Sequence, residues 1–324
     1  MSVTTATMKL GKRPRRHDVR TLQMARYLTA AVQAQPLQPP ASVDYTHGIT
    51  DWGLMLNDQL GCCTIAAIGH AVQAWTASAL GRELTVPDST ILKYYEKWDG
   101  YDPANPASDQ GGVELDVLNE WRQQGFDGVS LDAYVEIGLS GVRCPMSDVA
   151  LAIWLFGGAY IGVELPIRAQ DQDVWDLSAQ LGPDDEPGSW GGHAVYLVGY
   201  DTRDSGLGTR ELGNSGTRGS GLDIRDSGNG TRNTETESGN SGFRIPNSGD
   251  PQLPVPSTQP PTLTCITWGK PKKMTFSWFE KYCSEAYALV SKDWLNTSGI
   301  SPSGFDLAAL EQDLAAVTAE GKSK

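Results

Sequence analysis

The stretch Leu60-Gly61-Cys62-Cys63-Thr64-Ile65-Ala66-Ala67-Ile68-Gly69-His70-Ala71-Val72-Gln73-Ala74-Trp75 decides how this chain is read. A glycine turn gives way to an Ala-rich run that predicts a helix, and a thiol stands at the junction. Unpaired backbone N–H groups and the positive end of the helix dipole favour thiolate over thiol, which is how a fold prepares a sulfur nucleophile. The plainer role for Cys63 is that of a small buried apolar residue.

A sulfur nucleophile needs a base, and the sequence holds four histidines. His17 follows the basic run Lys12-Arg13-Pro14-Arg15-Arg16, which is expected to be a solvated arm. His47 sits in the loop-like Tyr45-Thr46-His47-Gly48. His70 shares the helix of Cys63 but lies roughly 10 Å further along its axis, too far for a hydrogen bond, and is expected to pack. His193 belongs to Gly191-Gly192-His193-Ala194-Val195-Tyr196-Leu197-Val198-Gly199-Tyr200, an apolar β-type run opened by two glycines that permit close approach. It is the candidate base.

A Cys on an early helix followed by a His on a late strand resembles the papain-like cysteine peptidases, including their bacterial and phage-encoded members. Leu60-Gly61-Cys62-Cys63-Thr64 is similar to the Leu-Gly-Ser-Cys-Thr of bacterial members, and Asp51-Trp52 to the Asp-Trp near the mature start. Gly111-Gly112 with the run to Gly125, the strand-like Leu155 to Val163, Thr267-Trp268-Gly269 and Glu285-Ala286-Tyr287-Ala288-Leu289 follow in the family's order. The likeness spans residues 42–292. It implies Cys63 as nucleophile, His193 as its acid–base partner and Trp268 as a cover over the site. An amide six residues before the Cys is the family's oxyanion donor; here Asn57 has that spacing and Gln59 lies closer, so both are candidates. Ile266 stands where the family has the Asn that holds the far ring nitrogen. Isoleucine accepts no hydrogen bond, so another group orients the ring or none does.

Two functions follow. One is a thiol-dependent hydrolase cleaving peptide or amide bonds, with acyl transfer on small amides using the same pair. The other is a papain-like scaffold without turnover that binds a peptide or protein. The implied fold is α+β in two lobes. One lobe is helical over 63–80 and 114–124. The other is a twisted, mostly antiparallel sheet from 159–163, 193–200, 263–268 and 286–291.

The organisation expected around that domain is a basic arm over 1–41 and a C-terminal tail over 293–324. The arm should hold a short helix between Val19 and Ala34 before the breaker Pro36 to Pro40. The tail should hold an amphipathic helix between Phe305 and Glu320. A low-complexity insertion over about 202–261 repeats Arg-Asp-Ser-Gly-x-Gly-Thr-Arg at 203–210 and 225–232. It has too few apolar residues to offset its ordering entropy and is expected to be disordered.

A net charge of −13 argues against nucleic-acid binding. Asp184-Asp185-Glu186 could set negative charge at the cleft rim or be an ordinary solvated loop. Five cysteines, Cys62, Cys63, Cys144, Cys265 and Cys283, form neither a disulfide framework nor a zinc spacing, so no metal or cofactor is expected. The longest apolar run, Val149 to Val163, is too short for a membrane span. No signal peptide is read at the N-terminus. A cytoplasmic chain acting on a peptide or protein substrate, away from membranes, is the expectation.

Overall fold

A computed structural model describes residues 8–27, 38–138, 144–203 and 260–291, with isolated positions 294, 312 and 315. The first long element is α1 (Cys63–Leu80), ended by Gly81 in the left-handed conformation. From Cys63 to Trp75 every residue of α1 is buried, and its polar members Thr64, His70 and Gln73 are each hydrogen-bonded. Helices α2 (Asp88–Asp99) and α3 (Glu114–Gln124) pack beside it and complete one lobe.

The second lobe is an eight-stranded sheet. Its strands are β1 (Ser42–Asp44), β2 (Ala133–Glu136), β3 (Ala159–Leu165), β4 (Val174–Trp175), β5 (Gly191–Asp201), β6 (Thr262–Thr267), β7 (Lys270–Thr275) and β8 (Cys283–Val290). The order is β2-β8-β3-β5-β6-β7-β4 with β1 on β5, and every pairing is antiparallel except β4 with β7. Helix α4 (Met146–Phe156) packs on β3, β5 and β8, and α5 (Phe276–Tyr282) on β3 and β7. The expected apolar run 149–163 is thus a helix and a strand, divided at Gly157-Gly158, where both glycines have positive φ.

Period-two alternation lets the sheet serve two cores. Tyr160, Tyr196, Val198 and Ile266 face the helical lobe with Trp75 and Trp121. Ile161, Val195, Leu197 and Cys265 face the other core with Phe156, Trp175 and Trp278. Asp201 pairs with Thr262, so the segment between them leaves and rejoins the sheet at one end of a hairpin. The disorder expected there concerns residues that lie almost wholly outside those described, as does the helix expected over 305–320. Of the helix expected between Val19 and Ala34, the described part is one 3-10 turn at Met24–Tyr27.

The basic run is only in part the solvated arm that its local charge suggested, with Arg13 and Arg16 exposed. It lies across the cleft between the lobes, with Lys12 buried, and Arg15 and Arg16 paired with Glu136 and Asp116. Its carboxylate partners come from distant segments that a local reading of charge does not see.

Candidate active site

The turn before α1 is tightly built. Met55 and Leu56 both hold positive φ, 50° and 61°, a conformation that side chains beyond glycine rarely take. Asp109 fixes the next bend: its Oδ1 accepts from Gly61 N–H at 2.9 Å and from the Tyr95 hydroxyl at 2.6 Å. That hydroxyl in turn accepts from Gly111 N–H at 2.9 Å. The network presents Cys63 as the first residue of α1. Cys62 is turned away, its thiol 3.4 Å from the Met55 carbonyl, and all five cysteines are free.

Strand β5 brings His193 to the same place. The backbone N–H of Ala194, the next residue, donates to Cys63 Sγ at 3.4 Å. His193 Nε2 lies 2.7 Å from the Thr267 hydroxyl at the end of β6, and the Trp268 ring stacks on the imidazole at 4.5 Å. Nδ1 is buried with no hydrogen-bond partner among the described residues. The group that orients the ring is therefore Thr267. Ile266 is opposite Tyr196 and faces the helical lobe. One residue on, strand alternation gives Thr267 the parity of Cys265. The sequence carried this signal in its alternation, but alignment to the family's Asn directed attention to Ile266.

The arm closes the site. Lys9 N–H donates to the Asn57 carbonyl, Lys12 N–H to Gly192, Arg13 N–H to Gly112, and Gly112 N–H to the Gly11 carbonyl. Asn57 Nδ2 lies 3.5 Å from the Lys9 carbonyl and 3.2 Å from that of Leu60. Gln59, the other candidate amide, is exposed and away from this contact. The Trp268 indole N–H also donates to the Lys9 carbonyl, at 3.2 Å. Only glycines allow so close a passage: a Cβ on Gly11 would lie 1.7 Å from the Gly61 oxygen, and one on Gly192 would lie 2.3 Å from the Lys12 oxygen.

Burial dominates the electrostatics of this closed state. It pushes the Cys63 thiol up to about 12 although Ala194 and Gly11 backbone N–H groups favour the thiolate. It pulls His193 down to about 3, with His70 a lesser contributor. The thiolate expected from the helix terminus is thus outweighed by desolvation, and both groups are neutral here. His70, 3.1 Å from Gln73 and edge-on to Trp52, packs as expected. Of the acidic loop, Asp185 is tied to Arg168 and Ser178 at 2.7 Å each and sets no free charge at the rim.

Beyond Trp268 a cleft of about 630 Å³ is lined by Met8, Trp175, Trp190, Thr267 and Lys272 among others. No group of acidic, His or Cys side chains suited to a metal occurs among the described residues. No described helix is long and apolar enough to cross a membrane.

No family model and no curated protein matches the sequence. Among solved structures, the cysteine protease xylellain from Xylella fastidiosa superposes with a TM-score of 0.51 at 11% identity, over 88% of this chain and 96% of that one. The fold is papain-like. Procathepsin B S9 of Trypanosoma congolense (TM-score 0.48, 9% identity, 88% of this chain and 87% of that one) and digestive procathepsin L 3 of Tenebrio molitor larval midgut (0.46, 11%, 84% and 76%) are also similar. Cys63 opens α1 of the helical lobe, and His193 stands in β5 of the sheet.

Proposed function

We propose that this chain is a thiol-dependent hydrolase of peptide or amide bonds, working through Cys63 and His193, and that the arm-closed form is its resting state. The observation that carries the reading is the Thr267 hydroxyl at His193 Nε2 under Trp268, with Cys63 Sγ against the residue after that histidine. With Nε2 occupied, Nδ1 is the ring nitrogen left to take the thiol proton.

When the arm leaves, water reaches the site and the desolvation that holds both groups neutral is relieved. Cys63 passes its proton to His193, and the thiolate attacks the substrate carbonyl carbon. The carbonyl oxygen becomes an oxyanion facing the Cys63 N–H and Asn57 Nδ2. The C–N bond breaks, and the imidazolium protonates the departing amine. Water then attacks the thioester, giving one proton to His193, and release of the acid restores the thiol. The open cleft beyond Trp268 has room for the leaving portion.

A peptide-binding scaffold without turnover is the second reading, favoured by the neutral state of both groups. Turnover of a peptide-amide panel by the full chain, compared with Cys63→Ala, separates the two. Loss of all hydrolysis in Cys63→Ala is expected. Full activity in that variant would sink the proposal.

A further inference from the structure

Lys12 sends its side chain to the bottom of the cleft. Its ammonium lies 2.9 Å from Glu164 Oε1 and 3.1 Å from Glu285 Oε1, and the whole side chain is shielded from solvent. The far oxygen of Glu285 accepts from the Tyr287 hydroxyl at 2.9 Å, so this carboxylate is held facing the lysine. Glu164 is steadied by Ser284 at 3.3 Å. A third carboxyl, Glu114 at the start of α3, is fully buried beside them, and neither of its oxygens receives a hydrogen bond among the described residues. Gly162 of β3 makes the floor: a Cβ there would lie 2.0 Å from Lys12 Cε and 2.8 Å from Glu114 Oε1. Burial pulls the lysine's affinity for its proton down, but Glu114, Glu285 and Glu164 together outweigh it and hold the ammonium charged.

Two carboxylates pair directly with the cation, and the Glu114 carboxyl beside them, pushed well up by burial and by Glu285, has no hydrogen bond among the described residues, which is more acidic recognition than anchoring a tail requires. From Lys9 to Arg13 the other hydrogen bonds of the arm are made by its backbone, as any extended peptide can make them, while Arg15 and Arg16 add ion pairs further along. We infer that this pocket is the specificity determinant of the site and selects substrates carrying a lysine or arginine side chain next to the residue that lies over Cys63. Lys12 holds the pocket as an internal copy of that side chain, with Gly11 over the sulfur. The inference rests on the proposed hydrolase reading for its word substrate, but its test needs no turnover.

The probe is a fluorescent hexapeptide copying Met8–Arg13, and a second copy with Leu in place of the residue equivalent to Lys12. Each is titrated by fluorescence polarisation against the full chain carrying Cys63→Ala and Gly11→Val, the latter expelling the arm by its clash with Gly61. Lys12→Glu, which repels the arm from the carboxyls, serves as the second arm-releasing variant if Gly11→Val does not fold. The lysine peptide is expected to bind about tenfold or more tightly than the leucine peptide, the scale of a charged hydrogen bond. Adding Glu285→Gln should erase most of that preference. Equal affinity for the two peptides, or binding of neither, overturns the inference. An inert Cys63 is read separately, by alkylation of the chain that retains it, and bears on the hydrolase reading alone.

Discussion

Thr267 Oγ1 lies 2.7 Å from His193 Nε2, so a hydroxyl holds one nitrogen of the buried imidazole. Trp268 covers this bond from above, its ring nearly parallel to the imidazole at 12°. Thr267→Val keeps the shape and removes the hydroxyl. It should lower the alkylation rate of Cys63 and any hydrolysis by about 10–100-fold, the range expected for losing a hydrogen bond to a group that becomes charged. Thr267→Ser should restore most of the rate. Rates measured for the three proteins check this, and an unchanged rate in Thr267→Val would leave the ring oriented by something else.

The arm should be inhibitory. Gly11→Val cannot keep its place beside Gly61 and is expected to raise the rate of Cys63 modification by a small alkylating reagent by about tenfold or more, because a buried, neutral thiol becomes a hydrated one. Mass spectrometry of the labelled peptide gives the rate. The same variant should melt lower than the parent, because displacing the arm takes Lys12 from Glu164 and Glu285 and Leu10 from the core of the sheet.

Asp99 predicts a loss of stability at alkaline pH. Burial raises its carboxyl to about 7, against the lowering effect of the Thr64 hydroxyl. The folded state therefore prefers the protonated acid. Its contribution is complete below the unfolded value near 3.8 and is lost as pH rises through about 7. The amount is on the order of 4 kcal/mol. Asp99→Asn should melt higher than the parent at pH 8 and no higher at pH 4, as scanning calorimetry would show.

His70 predicts the opposite slope. Burial lowers it to about 4, so the folded state prefers the neutral ring. Its contribution is present above the unfolded value near 6.5 and is lost as pH falls through about 4, on the order of 3 kcal/mol. Urea titrations at pH 7.5 and 4.5 should show a smaller acid loss in His70→Gln than in the parent.

Much of this was legible in the sequence for identifiable reasons. Cys63 to Trp75 is a mostly apolar, Ala-rich run with a glycine turn before it, and β5 is a β-branched and aromatic run after two glycines. Local pattern suffices for both. Thr267 was missed because the family's asparagine aligns with Ile266, whereas the strand's alternation gives the cleft to its neighbour. The seat of Lys12 was not legible at all. Glu114, Glu164 and Glu285 come from α3, β3 and β8, and only the folded sheet brings them around one lysine. A charge run is ordinarily solvated, and nothing local marks this one as an exception.

The most direct test of the central claim is site-resolved alkylation of the full chain carrying Gly11→Val by a papain-directed epoxide, with and without His193→Ala. The account predicts that Cys63 is labelled far faster than Cys144 or Cys283, and that removing His193 abolishes the advantage. Labelling of Cys63 no faster than those two, with the arm displaced, would contradict an activated Cys63–His193 pair.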